Sequence, residues 1–467
     1  MLKFKTKQGR FFRGEEAPFL SINLRKDLKI MTKQDILRLV DEEDVRFVRL
    51  QFTDILGNMR NLAITTSALE DALSNRCMFD GSSIEGFVSV EESDLYLHPD
   101  LDSFAIFPWR PHQGKVARFI CDVYKPDGTR LESDPRYVLQ KVIKEAEDMG
   151  YTLEVGPKCE FFLFNTDERG AVMLSPHDNA GFLDLAPLDN GENCRRDICL
   201  TLEEMGYKIE TSQHEKAPGQ HAIAFRHGDA LTTADRLVTF RTVVKTIAKR
   251  NGLHATFMPK PIEGQNGSGM HLKMALMKDE KNVFAGETLT ETAKQFIEGL
   301  LKHTPDMACL TNPTVNSYKR FIPGYQAPCF ISWSENNRSL LVRVPSVRDG
   351  GAKHIELRSP DGTANPYLTI AACLKAGLEG IKNKEKLRSG VDVNIYRLSE
   401  RDREALGIKS LPISLNEAVS LGKQSEFITG LLGERFKESY LAEKEKEYDA
   451  YRKTINQWEI NNYLTQY

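Results

Sequence analysis

The sequence has no long hydrophobic run, no paired-cysteine motif and no large excess of charge of one sign. A membrane-spanning helix requires roughly 20 consecutive apolar residues, and no stretch of the 467-residue chain approaches that length. The eight cysteines form no CxxC pair and no zinc-ligand spacing, which favours reduced, mostly buried thiols in a cytoplasmic protein. A net charge of −3 argues against nucleic acid or an anionic membrane as the main partner.

What is present is the composition of a soluble globular protein, with 40% hydrophobic and 28% charged residues. The length favours two domains. Residues 31–130 are predicted to form a small, mostly β domain, and residues 131–467 a larger domain of mixed helices and strands, giving an α+β fold. Residues 1–30 hold eight Lys or Arg against three acids and are predicted to be a disordered tail. A misassigned start, with Met31 as the natural beginning, and a binding arm are the alternatives.

Capping residues and hydrophobic periods predict where the main elements lie. Helices are predicted from Thr32, over residues 134–150 and 365–381, and after Ser414; strands are predicted over residues 48–52, 104–109, 116–123, 158–164 and 209–215. The charged stretch 434–457 is predicted to be a solvated helix.

The segment Asn266-Gly-Ser-Gly-Met-His271 combines a bare backbone with an imidazole. Its two glycines allow a ligand to approach the backbone amides closely, and His271 follows at once. The segment therefore predicts a loop built for close contact with a ligand, next to a metal-binding side chain.

Three carboxylates and this histidine lie on or beside strands that otherwise carry apolar residues: Glu160, Glu215, His271 and Glu356. A buried carboxylate is costly unless it is paired or bound to a cation. Any one of them alone is more simply a structural, salt-bridged acid. Four hard ligands near a glycine-rich loop together predict a magnesium or manganese site.

Four arginines occur in segments of otherwise apolar character: Arg320, Arg338, Arg343 and Arg358. The planar guanidinium fork suits carboxylate and phosphate groups. With the predicted metal site, these arginines indicate an acidic, phosphorylated substrate.

Several longer motifs occur in the same order: Phe79–Glu85, Glu91–Asp94, Gly156-Pro157, Ala217-Pro-Gly-Gln-His221, Asn312–Arg320, Pro323–Pro328, Glu356-Leu-Arg358 and Asn365-Pro-Tyr367. Together they resemble the type I, bacterial glutamine synthetase family, and the end of the chain resembles its Gram-positive-like subclass. The resemblance covers about residues 32–467.

The resemblance implies an N-terminal β-grasp domain packed beside a glutamine synthetase catalytic domain, and a homododecamer of two stacked hexamers with active sites between subunits. It implies ATP-dependent amidation of glutamate by ammonium through a γ-glutamyl phosphate, with two Mg²⁺ or Mn²⁺ ions. The residue roles that it implies are metal binding for Glu160, Glu215, His271 and Glu356, glutamate binding for Asn266, Gly267, Arg320 and Arg358, nucleotide binding for Glu210, Arg338 and Arg343, and catalysis for Arg338 and for Asp54, which would reach the neighbouring site.

The sequence departs from the family pattern at critical positions. Lys158 and Ala222 stand where the family has metal-binding glutamates, and Gln326 replaces the flap glutamate. Three hypotheses follow: a glutamate–ammonia ligase with an altered metal shell, a catalytically impaired or inactive paralogue serving as a subunit, sensor or regulator, and a ligase that joins glutamate to another amine.

Overall fold

The computed structural model describes residues 31–110, 113–335, 337–346 and 353–467. The predicted tail, residues 1–30, lies outside the described residues.

The α-helices are α1 (Lys33–Glu42), α2 (Leu69–Leu73), α3 (Pro135–Asp148), α4 (Glu192–Glu204), α5 (Ala230–Arg250), α6 (Glu291–Thr311), α7 (Pro366–Lys382), α8 (Glu400–Ala405), α9 (Leu415–Gln424), α10 (Glu426–Leu432), α11 (Glu434–Arg452) and α12 (Gln457–Tyr463). The strands are β1 (Val45–Thr53), β2 (Met59–Thr65), β3 (Cys77–Asp80), β4 (Asp94–Pro99), β5 (Ala105–Ile106), β6 (Lys115–Tyr124), β7 (Thr152–Thr166), β8 (Val172–Pro176), β9 (Ile209–His214), β10 (Gln220–Phe225), β11 (Gly228–Asp229), β12 (Leu253–Thr256), β13 (Met270–Lys278), β14 (Lys281–Asn282), β15 (Trp333–Ser334), β16 (Val342–Arg343) and β17 (Ile355–Leu357).

The N-terminal sheet has the order β2-β1-β6-β4-β3, with β5 paired to β6. Strands β1 and β6 are parallel, whereas β1 and β2 form an antiparallel pair. Val48 and Leu50 of β1 are fully buried, as their alternation with polar residues predicts. This sheet and helix α1 are the small, mostly β domain expected from the sequence.

The larger sheet runs β15-β16-β17-β13-β7-β10-β9. Its long central strand β7 pairs with both β13 and β10, and the edge pair β15–β16 is parallel. Helices α6 and α7 pack closely against each other, because glycine backbones meet where they cross. A Cβ atom on Gly299 would collide with the carbonyl oxygen of Ala376.

A buried arginine joins the two domains. Arg136, at the start of α3, lies 2.6 Å from Asp122 Oδ1 on β6 and 3.0 Å from Asp235 Oδ2 on α5. Asp134 caps the same helix by accepting from the backbone N–H of Arg136 at 2.9 Å. The domains therefore meet through hydrogen-bonded, charged side chains that fix their relative position.

The capping predictions at Thr32 and Asp134 are confirmed, and α7 begins at Pro366 as expected. The strand predicted over residues 104–109 is wrong in extent, because only Ala105 and Ile106 pair with β6 before the chain turns. The solvated helix predicted over residues 434–457 is wrong in two respects. It ends at Arg452, and one face is buried, through Phe436, Lys437, Tyr440, Leu441 and Lys444.

None of the helices in the described residues is both long enough and apolar enough to cross a membrane.

Candidate active site

The predicted ligands on the larger sheet share one of its faces, at neighbouring positions along the strands. Glu160 and Lys158 lie on β7, where Lys158 is the register partner of His271 on β13 and Glu160 is the partner of Ala222 on β10. Glu356 on β17 is the register partner of Arg343 on β16 and of Lys273, two residues from His271 on β13. The adjacent strands are about 4.8 Å apart, so these side chains share one face of the sheet at short range.

The ammonium of Lys158 bridges two of the predicted metal ligands. Its Nζ lies 2.5 Å from Glu215 Oε1 and 3.5 Å from Glu160 Oε1. Burial alone would lower the pKa of Lys158, but Glu160 and Glu215 raise it above its ordinary value, so the side chain stays charged. The space between the Glu160 and Glu215 carboxylates is therefore already occupied by a positively charged group.

Both acids have further partners. Glu160 Oε2 accepts from the backbone N–H of Gly269 at 2.8 Å, and Glu215 Oε1 accepts from Gln213 Nε2 at 3.0 Å. Burial tends to raise the pKa of Glu160, but the Lys158 ammonium and the Gly269 backbone N–H bring it below its usual value. The pair is therefore satisfied by side chains and backbone of this chain.

A second pair of predicted ligands lies on the other side of Lys158. His271 Nδ1 is 3.1 Å from Glu356 Oε1, and Arg343 Nη1 donates to Glu356 Oε2 at 3.3 Å. Burial lowers the pKa of His271, which keeps the imidazole neutral at neutral pH. When Nδ1–H donates to Glu356, Nε2 is left as an acceptor, the form in which histidine binds a metal.

The two halves of the predicted metal shell therefore differ in the ligands they offer. The neutral imidazole of His271 with the Glu356 carboxylate suits a divalent cation. The Glu160–Glu215 pair does not, because the Lys158 ammonium already lies between the carboxylates.

Within the described residues, the tightest group of potential metal ligands is a different one, Asp178, Asp189, His214 and His221, whose ligand atoms lie within 4.8 Å of one another. Arg195 enters this group: its Nη1 is 2.7 Å from Asp189 Oδ2 and 2.8 Å from His221 Nδ1. Because Nδ1 accepts from the guanidinium, the neutral ring of His221 carries its proton on Nε2 and cannot ligate a metal there. Arg195 is the cation of this group.

The glycine-rich loop packs against Arg320. Arg320 belongs to a 3₁₀ turn, Val315–Arg320, and donates to the carbonyl oxygens of Ser359 at 2.6 Å and Arg358 at 2.9 Å. A Cβ atom on Gly269 would lie 2.5 Å from Arg320 Nη2, and one on Gly267 would collide with the carbonyl oxygen of Pro259. Glycine is required at both positions for packing within the chain, and the close approach of a ligand to this loop stays a prediction.

Gln326 contacts both the glycine-rich loop and Arg358. Its Oε1 accepts from Asn266 Nδ2 at 3.0 Å, and its backbone has a positive φ of 61°. Its carbonyl oxygen accepts from Arg358 Nη2 at 3.5 Å. The structure thus brings Asn266, Gly267, Arg320 and Arg358 together with the segment around Gln326.

Two of the three residues expected to bind nucleotide lie beside the predicted ligands. Glu210 on β9 is exposed, and its Oε2 accepts from Lys273 Nζ at 2.6 Å. Arg343 reaches Glu356, whereas Arg338 is exposed and its carbonyl oxygen accepts a hydrogen bond from Arg358. Arg338 therefore contacts a residue that is predicted to bind glutamate.

Asp54 lies in the N-terminal domain, in the turn that joins β1 to β2. Its carboxylate is buried and accepts from the backbone N–H of Asn58 at 2.9 Å and from Arg60 Nε at 2.9 Å. Its turn packs on the start of α7, where Asn365 Nδ2 donates to the Asp54 carbonyl oxygen at 3.3 Å. These contacts fix the Asp54 carboxylate and join its turn to the larger domain.

Sequence reasoning from the residues missed Gln220 as part of the site. Its Nε2 donates to the carbonyl oxygen of Gly267 at 3.1 Å and so holds the glycine-rich loop against β10. The sequence offered a signal, because a glutamine beside His221 on a fully buried strand requires a hydrogen-bond partner.

Comparison with known proteins decides the family. The description "Glutamine synthetase, catalytic domain" matches residues 132–463, and "Glutamine synthetase, beta-Grasp domain" matches residues 44–126. The chain belongs to the glutamine synthetase family. It is 56% identical to a glutamine synthetase of Clostridium saccharobutylicum over 440 residues, which is 93% of this chain and 99% of the relative. It is 53% identical to a glutamine synthetase of Staphylococcus aureus over 444 residues, with coverage of 94% and 99%.

A solved structure titled as a GmaS/ADP complex has the same fold. It superposes with a TM-score of 0.84 at 31% identity, covering 92% of this chain and 99% of that one. The resemblance to type I bacterial glutamine synthetases and the expected β-grasp and catalytic domains are therefore confirmed. The boundary between residues 130 and 131 stays a prediction, consistent with β6 ending at Tyr124 and α3 beginning at Pro135.

Proposed function

We propose that this protein is a ligase of the glutamine synthetase type, which amidates the side-chain carboxylate of glutamate with ammonium at the expense of ATP. The observation that carries the proposal is the convergence of the glycine-rich loop, Arg320 and Arg358, which contact one another directly and through the Gln326 segment. A bare backbone edge and two guanidinium groups suit an amino acid with two carboxylates.

The residues of this chain would divide the work as follows. Arg320 and Arg358 orient glutamate, and Asn266 with Gly267 contacts its backbone groups. Glu210, Arg338 and Arg343 hold the nucleotide, and the positive charges of Arg338 and Arg343 stabilise negative charge that develops on the transferred phosphoryl group. Asp54, with its carboxylate fixed by Asn58 and Arg60, assists deprotonation of ammonium in the site of a neighbouring subunit.

His271 and Glu356 are the residues that would hold a magnesium or manganese ion here. Such an ion, when bound, neutralises phosphate charge and positions phosphate oxygens. The neutral state of His271 and its hydrogen bond to Glu356 support this assignment. Glu160 and Glu215 do not fit a second ion while Lys158 bridges them, and we assign no step to one.

We also propose a homododecamer of two stacked hexamers, located in the cytoplasm. Exposed apolar side chains support burial against other subunits, because Leu174 is 94% exposed, Leu185 72% and Trp458 61%. Sedimentation velocity would measure the assembly, and a monomer at micromolar concentration would contradict it.

A specific observation favours a second candidate, a catalytically impaired subunit, sensor or regulator. Lys158 occupies the metal shell, Ala222 is buried opposite Glu160 without a carboxylate, and Gln326 has no acid to accept a proton. Such a chain retains ligand binding and loses turnover.

Phosphate release separates the candidates. The purified protein is assayed with ATP, Mg²⁺ or Mn²⁺, glutamate and ammonium, with omission of glutamate as the control. Release that depends on both glutamate and ammonium supports the ligase. Release only when ammonium is replaced by a primary amine indicates a ligase for that amine, and binding of glutamate without release indicates the impaired subunit.

A further inference from the structure

The side chain of Lys158 is enclosed together with the two acids that it bridges. The lysine side chain is 20% exposed, and those of Glu160 and Glu215 are 10% exposed each. An ion pair at this depth is screened little by water. The arrangement is a buried carboxylate–ammonium–carboxylate cluster.

This cluster has no third carboxylate at the position opposite Glu160, so one ammonium can balance most of its negative charge. The position opposite Glu160 on β10 is Ala222, which is 1% exposed and contributes no charge. Gln213 and the backbone N–H of Gly269 supply the remaining donors. Two carboxylates, one ammonium and two neutral donors thus satisfy one another without an added ion.

The lysine starts from the strand position opposite His271 and extends away from it. Its Nζ lies within 3.5 Å of acids on β7 and just beyond β9, whereas His271 pairs with Glu356 on the far side. Lys158 stands where the family has a metal-binding glutamate. Relative to that pattern, it takes a carboxylate away from His271 and Glu356 and places a positive charge beside Glu160 and Glu215.

We propose that Lys158 is a resident cation that takes the place of a divalent ion between Glu160 and Glu215. The chain then holds no more than one divalent ion, at His271 and Glu356, and keeps Glu160 and Glu215 together without metal. This inference rests on the proposed function, because both concern the same site. Its tests are independent of that function, because they measure metal binding and stability and not turnover.

The first test counts bound metal. Mn²⁺ is titrated into the full-length protein without nucleotide, and free Mn²⁺ is measured by electron paramagnetic resonance. We expect no more than one Mn²⁺ per chain in the wild type and one more in the double variant Lys158→Glu, Ala222→Glu. Lys278→Glu, which makes the charge change of Lys158→Glu at the exposed far end of β13, is expected to match the wild type. Two Mn²⁺ ions per wild-type chain would overturn the proposal.

The second test removes the resident cation alone. Lys158→Met keeps much of the apolar stem but leaves two buried carboxylates without their ammonium. In EDTA its melting temperature should fall by roughly 5 °C below that of the wild type, and Mn²⁺ should restore most of that loss. The wild type, which keeps only the His271–Glu356 site, should gain less from Mn²⁺ than Lys158→Met does.

The proposal is overturned if Lys158→Met is as stable as the wild type in EDTA, or if Mn²⁺ stabilises both proteins equally. Should Lys158→Met fail to fold, the metal count of the wild type and of the double variant decides. A wild type that binds one Mn²⁺ and releases no phosphate would support the resident cation and contradict the ligase, so the two proposals fail separately.

Discussion

The proposed glutamate site and the predicted metal shell are neighbours, since the Gly269 backbone N–H donates to Glu160, yet they differ in how completely they are built. In the proposed glutamate site, the two glycines, Arg320 and Arg358 form a continuous set of contacts. In the predicted shell, Lys158 lies between two of the predicted ligands and Ala222 leaves the position opposite Glu160 without charge. The comparison indicates that substrate recognition and charge neutralisation are separable, because each depends on different side chains.

The largest expected effect is a loss of affinity for glutamate when an arginine of the proposed glutamate site is removed. Arg320→Ala should raise the Kd for glutamate on the order of a thousandfold, because it removes charge-assisted hydrogen bonds to a carboxylate. Calorimetry with glutamate measures the change. Arg388→Ala, which removes an arginine paired with Glu298 elsewhere, is the control and should bind glutamate normally. Unchanged affinity in Arg320→Ala would show that glutamate binds elsewhere.

Rebuilding the shell should have the next largest effect. The triple variant Lys158→Glu, Ala222→Glu, Gln326→Glu should raise kcat by about a hundredfold, since it adds two ligands and an acid–base group. The measurement is phosphate release with saturating Mg²⁺ and Mn²⁺. A native protein with no detectable activity, rescued by the triple variant, would favour the impaired subunit over the ligase. No gain in any condition would mean that the shell does not limit the rate.

Restoring the flap acid alone should give a smaller gain. Gln326→Glu should raise kcat by about tenfold and leave KM for glutamate within about twofold, because a carboxylate can still accept from Asn266 Nδ2. Steady-state kinetics separate the two parameters. As a matched comparison, Asn266→Asp places the carboxylate on the other partner of this hydrogen bond and keeps Gln326. This variant should raise KM for glutamate instead of kcat. A change in KM alone for Gln326→Glu would assign the flap to binding.

The smallest expected effect is a pH dependence at the edge of the shell. Burial and the neighbouring His354 lower the pKa of His227 from 6.5 to about 4. The unfolded chain therefore binds this proton more readily, and stability decreases as pH falls from about 6.5 to about 4. His227→Asn should flatten that decrease by on the order of 1 °C in melting temperature. His254→Asn, which removes an exposed imidazole from β12, serves as control, and equal pH profiles in the wild type and His227→Asn would contradict the assignment.

Much of this structure could be predicted from the sequence, and the limits have physical causes. The positions of Glu160, His271 and Glu356 followed from polar residues on apolar strands, which can be read locally. The ion-pair partner of Lys158 could not be predicted from its neighbours in the sequence. Glu215 is 57 residues distant, and only the antiparallel order of β7, β10 and β9 brings the two together.

Two features that sequence analysis predicted wrongly or missed also depend on how distant parts of the chain pack. The charged helix α11 was expected to be solvated because its apolar residues are few. Phe436, Tyr440 and Leu441 are nevertheless spaced at helical intervals and are buried. The Asp178–His221 group was not expected at all, because its members are spread over 44 residues and gather around Arg195 only in the folded chain.

The placement of the site side chains on one face of β9, β10, β7, β13, β17 and β16 has a consequence for how such a site can change. Each strand contributes its own side chain to a shared platform whose spacing is set by backbone hydrogen bonds. An exchange at a single rung alters the local charge and leaves every other rung in place. The same scaffold can therefore host a variant dependent on bound ions and one carrying its positive charge within the polypeptide, with no rearrangement of the frame between them.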